Sequence, residues 1–564
     1  MRKVLLVALA VLVAAALALP ASAGQSGRAA LTAQAQRSGQ LQSANGEYVV
    51  AYADGASTAA ARAAVKAAGG TILKENAQVG VATVRSSNPA FVRDAASQRA
   101  LVGAARNRPV GRIPSGGSAK DEVEHLTAAE RAAVKGGSAR AGRVPDQEPF
   151  ADKQWDMRMI DATPSGSYRV NQGRRGVLVG IIDSGIDGNH PDLRDNYNRR
   201  LSRNFVTDIP LIDGPCEHPS CVDPVDEDDD GHGTHVAGLV AAELNGLGTA
   251  GVAPKVTLVN IRGGQDSGFV FLQPVVDALV YAGLVGIDVV NMSFFIDPWL
   301  YNCLDNPADS PEAQAEQRTV RVATQRAVNF ARAHRVTPIA ALGNEHTDLG
   351  NPTFDDTSPD FPPGAAYPRD VNNSCITVPT ETRGVISVSA LGPSGYKADY
   401  SNYGIEQTDF SAPGGWFRDY FGLPQNRQPE NLNLSPMPQA LAEEALQDPA
   451  NVPFILKDCR GSTCAFYQYL QGTSMAAPHA TGVAALIVSA HGRHDPRHGG
   501  LTMSPRAVER VMTRTARQTP CPSPPNFAYP DDRDPSFDGV CAGTLARNGI
   551  YGRGIVNALT AVLH

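Results

Sequence analysis

At 564 residues, with 54 glycines, 41 prolines and only 6% aromatic residues, the chain can bury a large core and suits a loop-rich α/β protein better than a helical bundle. Its net charge of −7, with 19% charged residues, excludes the strongly basic surface that a nucleic-acid partner requires.

In chain order, Arg2 and Lys3 precede an unbroken apolar run over 4–19, and Ala21-Ser22-Ala23 is a small-residue cleavage site, so 1–23 reads as a signal peptide. The mature protein is then expected to be secreted, extracellular and free of the membrane. Eight cysteines in an exported chain point to disulfides. Cys216 and Cys221, Cys459 and Cys464, and Cys521 and Cys541 lie close in sequence, leaving Cys303 and Cys375, but sequence alone leaves the connectivity open. Thiolate-metal binding around His218 finds no support, because no CxxC pair is present.

Residues 47–52 read as a strand, 57–68 as an alanine-rich helix closed by Gly69 and Gly70, and 71–73 and 79–84 as short strands. A second helix is expected over 88–101, with Asn88 as cap and Pro89 as its first residue. This βαββα order makes 24–113 a small two-layer α+β domain. Residues 114–149 turn to Gly, Ser, Ala and Arg, a linker or processing region. From 150 to 564 strand and helix alternate. Strands are expected at 177–182, 256–261, 287–292, 339–342 and 385–391, with helices at 232–244, 272–284, 312–334 and 476–490. The continuous apolar runs mark strands buried on both faces, hence an α/β fold with a doubly wound parallel sheet whose site lies beyond the strands' C-terminal ends.

The stretch Gly472-Thr473-Ser474-Met475-Ala476-Ala477-Pro478-His479 sets a serine at the start of a buried helix, where free N–H groups can stabilise negative charge. Pro478 removes a helical donor and is expected to bend the first turns. A serine hydroxyl needs a base, and something to orient that base, before it is a nucleophile. Asp183 ends the 177–182 strand, a position that also suits a turn cap. His232 stands between glycines at the start of a helix, whereas His235, inside the helix, is expected to be structural. Asn344 ends another strand, and its amide can donate towards the space in front of Ser474.

The order Asp183…His232…Ser474 in three glycine-rich frames, with Asn344, resembles the subtilisin-like serine peptidases (subtilases) in blocks over 150–490. The resemblance implies a serine endopeptidase acting on proteins and peptides through an acyl-enzyme, with Ser474 as nucleophile, His232 as base and Asp183 as its orienting group. Asn344 and the Ser474 N–H would hold the oxyanion, and Asn291-Met292-Ser293 resembles the strand on which an extended substrate pairs. It also implies that 24–113 is an inhibitory propeptide, so that the chain is made as a zymogen and works as a monomer. No cofactor is needed for the chemistry. A structural calcium is expected where Asp192 and Asn245 give side-chain oxygens and Glu243, Leu247 and Thr249 give carbonyls. The acidic run 226–230 reads as a solvated loop or as a preference for basic substrates. Insertions at 297–311 and 416–471 depart from the pattern and are expected to line or cover the cleft; 438–446 is helix-like. A narrow-specificity processing peptidase, or a non-catalytic binding protein on the same fold, are the alternatives.

Overall fold

The computed structural model describes residues 46–107, 111–112, 148–210, 213–270, 272–294, 296, 299–359, 365–529 and 533–564. The expected signal peptide and nearly all of the expected linker lie outside the described residues.

The N-terminal unit comprises β1 (Glu47–Tyr52), α1 (Thr58–Ala67), β2 (Gly70–Asn76), β3 (Val81–Ser86), α2 (Phe91–Ala96) and β4 (Leu101–Arg106), with sheet order β2-β3-β1-β4. Two expectations are corrected here. The second helix is shorter than 88–101, and the chain continues into a fourth strand, giving βαββαβ. Asn88 is not the cap, a position Ala90 holds; Asn88 Oδ1 instead accepts from Ala90 N at 3.0 Å in the turn before the helix. The strand Leu101–Arg106 is alanine- and glycine-rich, so its periodicity is weak, and its place depends on packing. A Cβ at Gly103 would stand 3.0 Å from Thr319 Oγ1 in the main domain. Along β1, side chains alternate as a pleated strand requires: Tyr48, Val50 and Tyr52 face α1 and α2, while Val49 faces the main domain.

The main domain holds β5 (Leu178–Ile182), β6 (Arg203–Asn204), α3 (His232–Ala241), β7 (Thr257–Arg262), α4 (Leu272–Val285), β8 (Val289–Met292), α5 (Pro311–Ala333), β9 (Thr337–Ala341), β10 (Ile386–Leu391) and β11 (Phe410–Pro413). Its seven-stranded sheet runs β11-β10-β9-β8-β5-β7-β6, and every pairing is parallel. One face packs on α3 and on α7 (Thr473–His491), the other on α4 and α5. Val179 and Ile181 of β5 belong to the first layer and Ile182 to the second, which explains the unbroken apolar run of this strand.

The N-terminal unit sits on α4 and α5. Lys74 and Asn76 meet Asp277 at 2.7 and 2.9 Å, Arg106 meets Glu316 at 2.5 Å, and Arg326 donates to the Tyr52 carbonyl at 2.7 Å. Beyond the unit, Gly111–Arg112 pairs antiparallel with Phe269–Val270, just after β7.

The insertion at 416–471 folds as a three-stranded antiparallel sheet of β12 (Asn433–Met437), β13 (Ile455–Arg460) and β14 (Thr463–Leu470), with α6 (Gln439–Ala445) between β12 and β13. Its centre backs α3: His235 Nε2 lies 3.2 and 3.0 Å from the carbonyls of Asn433 and Gln468, and Ser435 Oγ donates to the His235 carbonyl at 2.7 Å. Burial drives the His235 pKa down to about 3, so this ring is a neutral structural group, as its position within the helix predicts. Disulfides join Cys216–Cys221, Cys303–Cys375, Cys459–Cys464 and Cys521–Cys541.

Candidate active site

Asp183 leaves β5 at its C-terminal end and is fully buried. Its Oδ1 lies 2.8 Å from His232 Nδ1 and also accepts the Ser184 N–H at 2.8 Å. Gly231 reaches a left-handed φ of 92° before α3, so that His232 starts the helix facing Asp183. Gly233 is required by close approach, since a Cβ there would stand 2.1 Å from the Gly185 carbonyl oxygen.

Asp228 makes this junction rigid. Its Oδ1 accepts from Ser184 Oγ and Gly231 N, both at 2.9 Å, and its Oδ2 from Thr234 N at 2.8 Å and Thr234 Oγ1 at 2.5 Å. One buried carboxylate thus ties the Asp183 turn to the His232 helix. Asp226 pairs with Arg199, and Asp230 Oδ1 accepts from His232 N at 3.2 Å. The acidic run is therefore largely internal scaffolding, which overturns its reading as a solvated loop. The signal was available: a run next to a glycine-flanked histidine has many backbone N–H groups to satisfy.

Burial raises the Asp230 pKa to about 8. Its folded value stands above the unfolded value of about 3.9, so the folded state keeps a proton that the unfolded state has released. Stability therefore declines as pH rises from about 4 to about 8. Asp230→Asn is expected to flatten that part of the profile, read by urea unfolding of an inactive Ser474→Ala chain at pH 5 and pH 8.

Ser474 is the second residue of α7, after Gly472. The helix runs unbroken through Pro478. Pro478 has no N–H for the Ser474 carbonyl four residues before it. Ser293 Oγ supplies that bond at 2.8 Å, and is held in turn by Asn291 Nδ2 at 2.8 Å, whose Oδ1 accepts from Thr481 Oγ1 at 2.9 Å. This buried chain of polar groups fixes the nucleophile's backbone, and the Ser474 hydroxyl donates to the Ser293 carbonyl at 3.3 Å. Asn291 and Met292 lie within the sheet between β5 and β9, so only the chain from Ser293 onward can meet a substrate. Ser293→Ala strands a buried carbonyl and is expected to destabilise the fold by roughly 1–3 kcal/mol. Thermal unfolding checks it, with Ser293→Thr retaining most of the stability.

Asn344 Oδ1 accepts from Thr473 N at 2.9 Å and Thr473 Oγ1 at 2.8 Å, which fixes the orientation of the amide. A Cβ placed on Gly472 would lie 3.6 Å from both Asn344 Nδ2 and Ser474 N. Two donors therefore converge on one space beside the Ser474 helix start, the geometry an oxyanion site needs. Thr481 was not singled out by sequence, and Thr473, Asp228 and Asn291 were read only as parts of longer stretches, because each acts through another residue.

Of the residues expected to hold calcium, Asp192 and Asn245 lie side by side, and their side-chain oxygens accept hydrogen bonds. Asp192 Oδ1 accepts from Asn245 Nδ2 at 3.0 Å, and its Oδ2 from Thr249 N at 3.3 Å and the Tyr467 hydroxyl at 3.1 Å. Asn245 Oδ1 accepts from Leu247 N at 2.9 Å, Arg460 donates to the Asn245 carbonyl, and Glu243 Oε1 accepts from Asp195 N at 2.9 Å. Tyr467 and Arg460 come from the 416–471 insertion, and Tyr467 packs into the loop so tightly that a Cβ on Gly248 would stand 2.0 Å from its hydroxyl. The insertion thus closes this loop with a tyrosine hydroxyl and a guanidinium.

A family model described as "Subtilase family" matches residues 174–552, more than half of the chain. The chain belongs to the subtilase family. This subtilase is 26% identical over 344 residues to the thermophilic serine proteinase of Bacillus sp. (strain AK1), covering 61% of the chain and 56% of that protein. It is 28% identical over 364 residues to the nisin leader peptide-processing serine protease of Lactococcus lactis subsp. lactis, covering 63% and 47%. To subtilisin Savinase of Lederbergia lenta it is 30% identical over 335 residues, covering 59% and 83%. The chain spans about half the length of the Bacillus and Lactococcus relatives. The epidermin leader peptide processing serine protease of Staphylococcus aureus superposes with a TM-score of 0.58 at 20% identity, over 92% of this subtilase and 97% of that chain. Fervidolysin from Fervidobacterium pennivorans gives 0.55 at 20%, over 93% and 61%. At that identity both show the fold.

Proposed function

We propose that this subtilase is a secreted, monomeric serine endopeptidase made as a zymogen. The observation that carries the activity is that Asp183 holds the His232 ring at 2.8 Å beyond the end of β5, while Ser474 is bonded to Ser293 beyond the end of β8 and Asn344, beyond β9, to Thr473. The Ser474 Oγ–H proton passes to His232 Nε2 as Oγ bonds to the substrate carbonyl carbon. The carbonyl oxygen becomes an oxyanion held by Asn344 Nδ2 and Ser474 N. His232 returns the proton to the leaving amine as the C–N bond breaks, and water then releases the acyl group by the same route. Asp183 holds the imidazole in the correct tautomer through Nδ1.

The zymogen reading is supported by Gly111–Arg112 pairing beside Phe269–Val270, as an extended peptide pairs with a sheet edge, and by the seat of the N-terminal unit on α4 and α5. Secretion is supported by the sequence of 1–23 and by four disulfides. Among the described residues no helix is long and apolar enough to cross a membrane.

A serine-reactive fluorophosphonate tests the reading. Wild type is expected to label at Ser474 on a species that has lost the N-terminal unit, and Ser474→Ala not to label. Absence of label on folded wild type argues for a binding protein on this fold; label on the full-length chain argues against the zymogen. A peptide-library digest then reads the breadth of cleavage.

A further inference from the structure

Asn344 stands in a loop whose backbone is left-handed on both sides of it. Gly343 has a φ of 109°, and His346, which carries a Cβ, has a φ of 51°. Such backbone is unfavourable for a residue with a side chain and persists where the surroundings over-determine it. Thr473 supplies part of that restraint, since its hydroxyl accepts from Gly343 N at 3.0 Å and its N–H and hydroxyl hold Asn344 Oδ1. Those bonds act on Asn344 and on the residue before it.

A second residue grips the loop on both flanks. Asn402 is fully buried. Its Nδ2 donates to the Leu342 carbonyl at 3.3 Å and to Glu345 Oε2 at 2.6 Å, and its Oδ1 accepts from Thr347 N at 2.9 Å. Its backbone N–H donates to the Gly343 carbonyl at 3.0 Å. These bonds fall at 342, 343, 345 and 347, astride Asn344 and the strained His346. The approach is close: a Cβ on Gly343 would stand 2.4 Å from Asn402 Nδ2 and 2.6 Å from Glu345 Oε2. The half-buried Glu345 carboxyl also accepts from the backbone N–H groups of Asn344 and of Glu345 itself. Bonds from N–H groups to a carboxylate are strong, so this group fastens its own loop. Two residues before Asn402, the Tyr400 hydroxyl accepts from Gly472 N at 3.0 Å and donates to the Gly414 carbonyl at 3.0 Å. The 400–402 segment thus braces the turn that leads to Ser474 and the loop that carries Asn344.

We propose that Asn402, together with Glu345, is a positioning residue for the oxyanion site, holding the Asn344 amide where negative charge forms on the substrate carbonyl oxygen. The inference rests on the peptidase reading given above. Stabilisation of this kind depends on donors fixed before the reaction begins, because a donor that must reorient during it gives back part of what it contributes. Asn402 and Glu345 enter no bond-making step; they act through Asn344.

The test is a double-substitution cycle on the purified enzyme, read by steady-state kinetics on a peptide substrate. Asn402→Ala is expected to lower kcat by about ten- to a hundred-fold, the effect of a small misplacement, with KM within about two-fold of wild type. Asn344→Asp already lacks the donor, so adding Asn402→Ala to it is expected to lower kcat by less than about two-fold more. General damage to the fold would instead multiply the two losses. Glu345 is only half-buried, so Glu345→Gln keeps the test alive if Asn402→Ala does not fold. An amide has one acceptor oxygen where the carboxylate has two, and kcat is expected to fall by at least about three-fold whatever residue precedes the scissile bond. An active wild type whose kcat survives Asn402→Ala, or losses that multiply with Asn344→Asp, overturn this inference alone. So does a Glu345→Gln effect confined to KM for substrates with Lys or Arg before the scissile bond, which would make that carboxylate a contact for substrate charge. A wild-type chain that cleaves no peptide overturns the peptidase reading and this inference together.

Discussion

His232→Ala is expected to lower turnover on a peptide substrate by on the order of 10⁶, with little change in KM. That figure is transferred from subtilisin, a member of the same family, and corresponds to about 8 kcal/mol of transition-state stabilisation. The geometry explains its size. The Ser474 hydroxyl donates to the Ser293 carbonyl, which cannot accept a full proton, so the reaction depends on the imidazole that Asp183 holds. Asp183→Asn is expected to cost less, about 10⁴, because it leaves the ring in place but favours the wrong tautomer. The 2.8 Å bond from His232 Nδ1 to Asp183 Oδ1 is where that difference originates. Steady-state kinetics on the purified enzyme reads both, and retention of more than a hundredth of wild-type turnover by His232→Ala contradicts the assignment.

For Asn344 the informative change is to aspartate rather than alanine. The Asn344 Oδ1 accepts from both the N–H and the hydroxyl of Thr473, so alanine removes an anchor of the α7 start as well as a donor. Aspartate keeps both acceptor roles and replaces only the donor that faces the Gly472 space with an oxygen. A negative charge then meets the developing oxyanion, so turnover is expected to fall by at least the 10²–10³ typical of losing one such donor. Thermal stability should stay near that of wild type. Equal losses of activity in Asn344→Asp and Asn344→Ala, accompanied by equal losses of stability, would assign Asn344 to positioning Thr473 alone. Fluorophosphonate labelling separates the cases further, because a displaced Ser474 labels slowly whereas an intact nucleophile beside a lost donor retains part of its rate.

The sequence by itself determined the parts whose chemistry is local. The apolar run of β5 can only be a strand buried on both faces, and Asp183 follows from where that run ends. His232 and Ser474 sit in glycine frames because close packing leaves no room for side chains, as the 2.1 Å approach at Gly233 shows. These signals need no partner in order to be read. Tertiary structure decided the residues that act through others. Pro478 read alone signals a lost donor; the helix continues through it, and Ser293, 181 positions before Ser474, gives the Ser474 carbonyl the hydrogen bond that Pro478 cannot. Asp228 looked like one charge in a solvated run until four donors from two segments of the chain met its carboxylate. The Asp192 loop carried the right residues for calcium, yet Tyr467 and Arg460, delivered by a distant insertion, engage its oxygens. Hydrogen bonds and charge pairs form through space, so their acceptors can be listed from sequence, but which of them are already satisfied is settled only when the chain has folded.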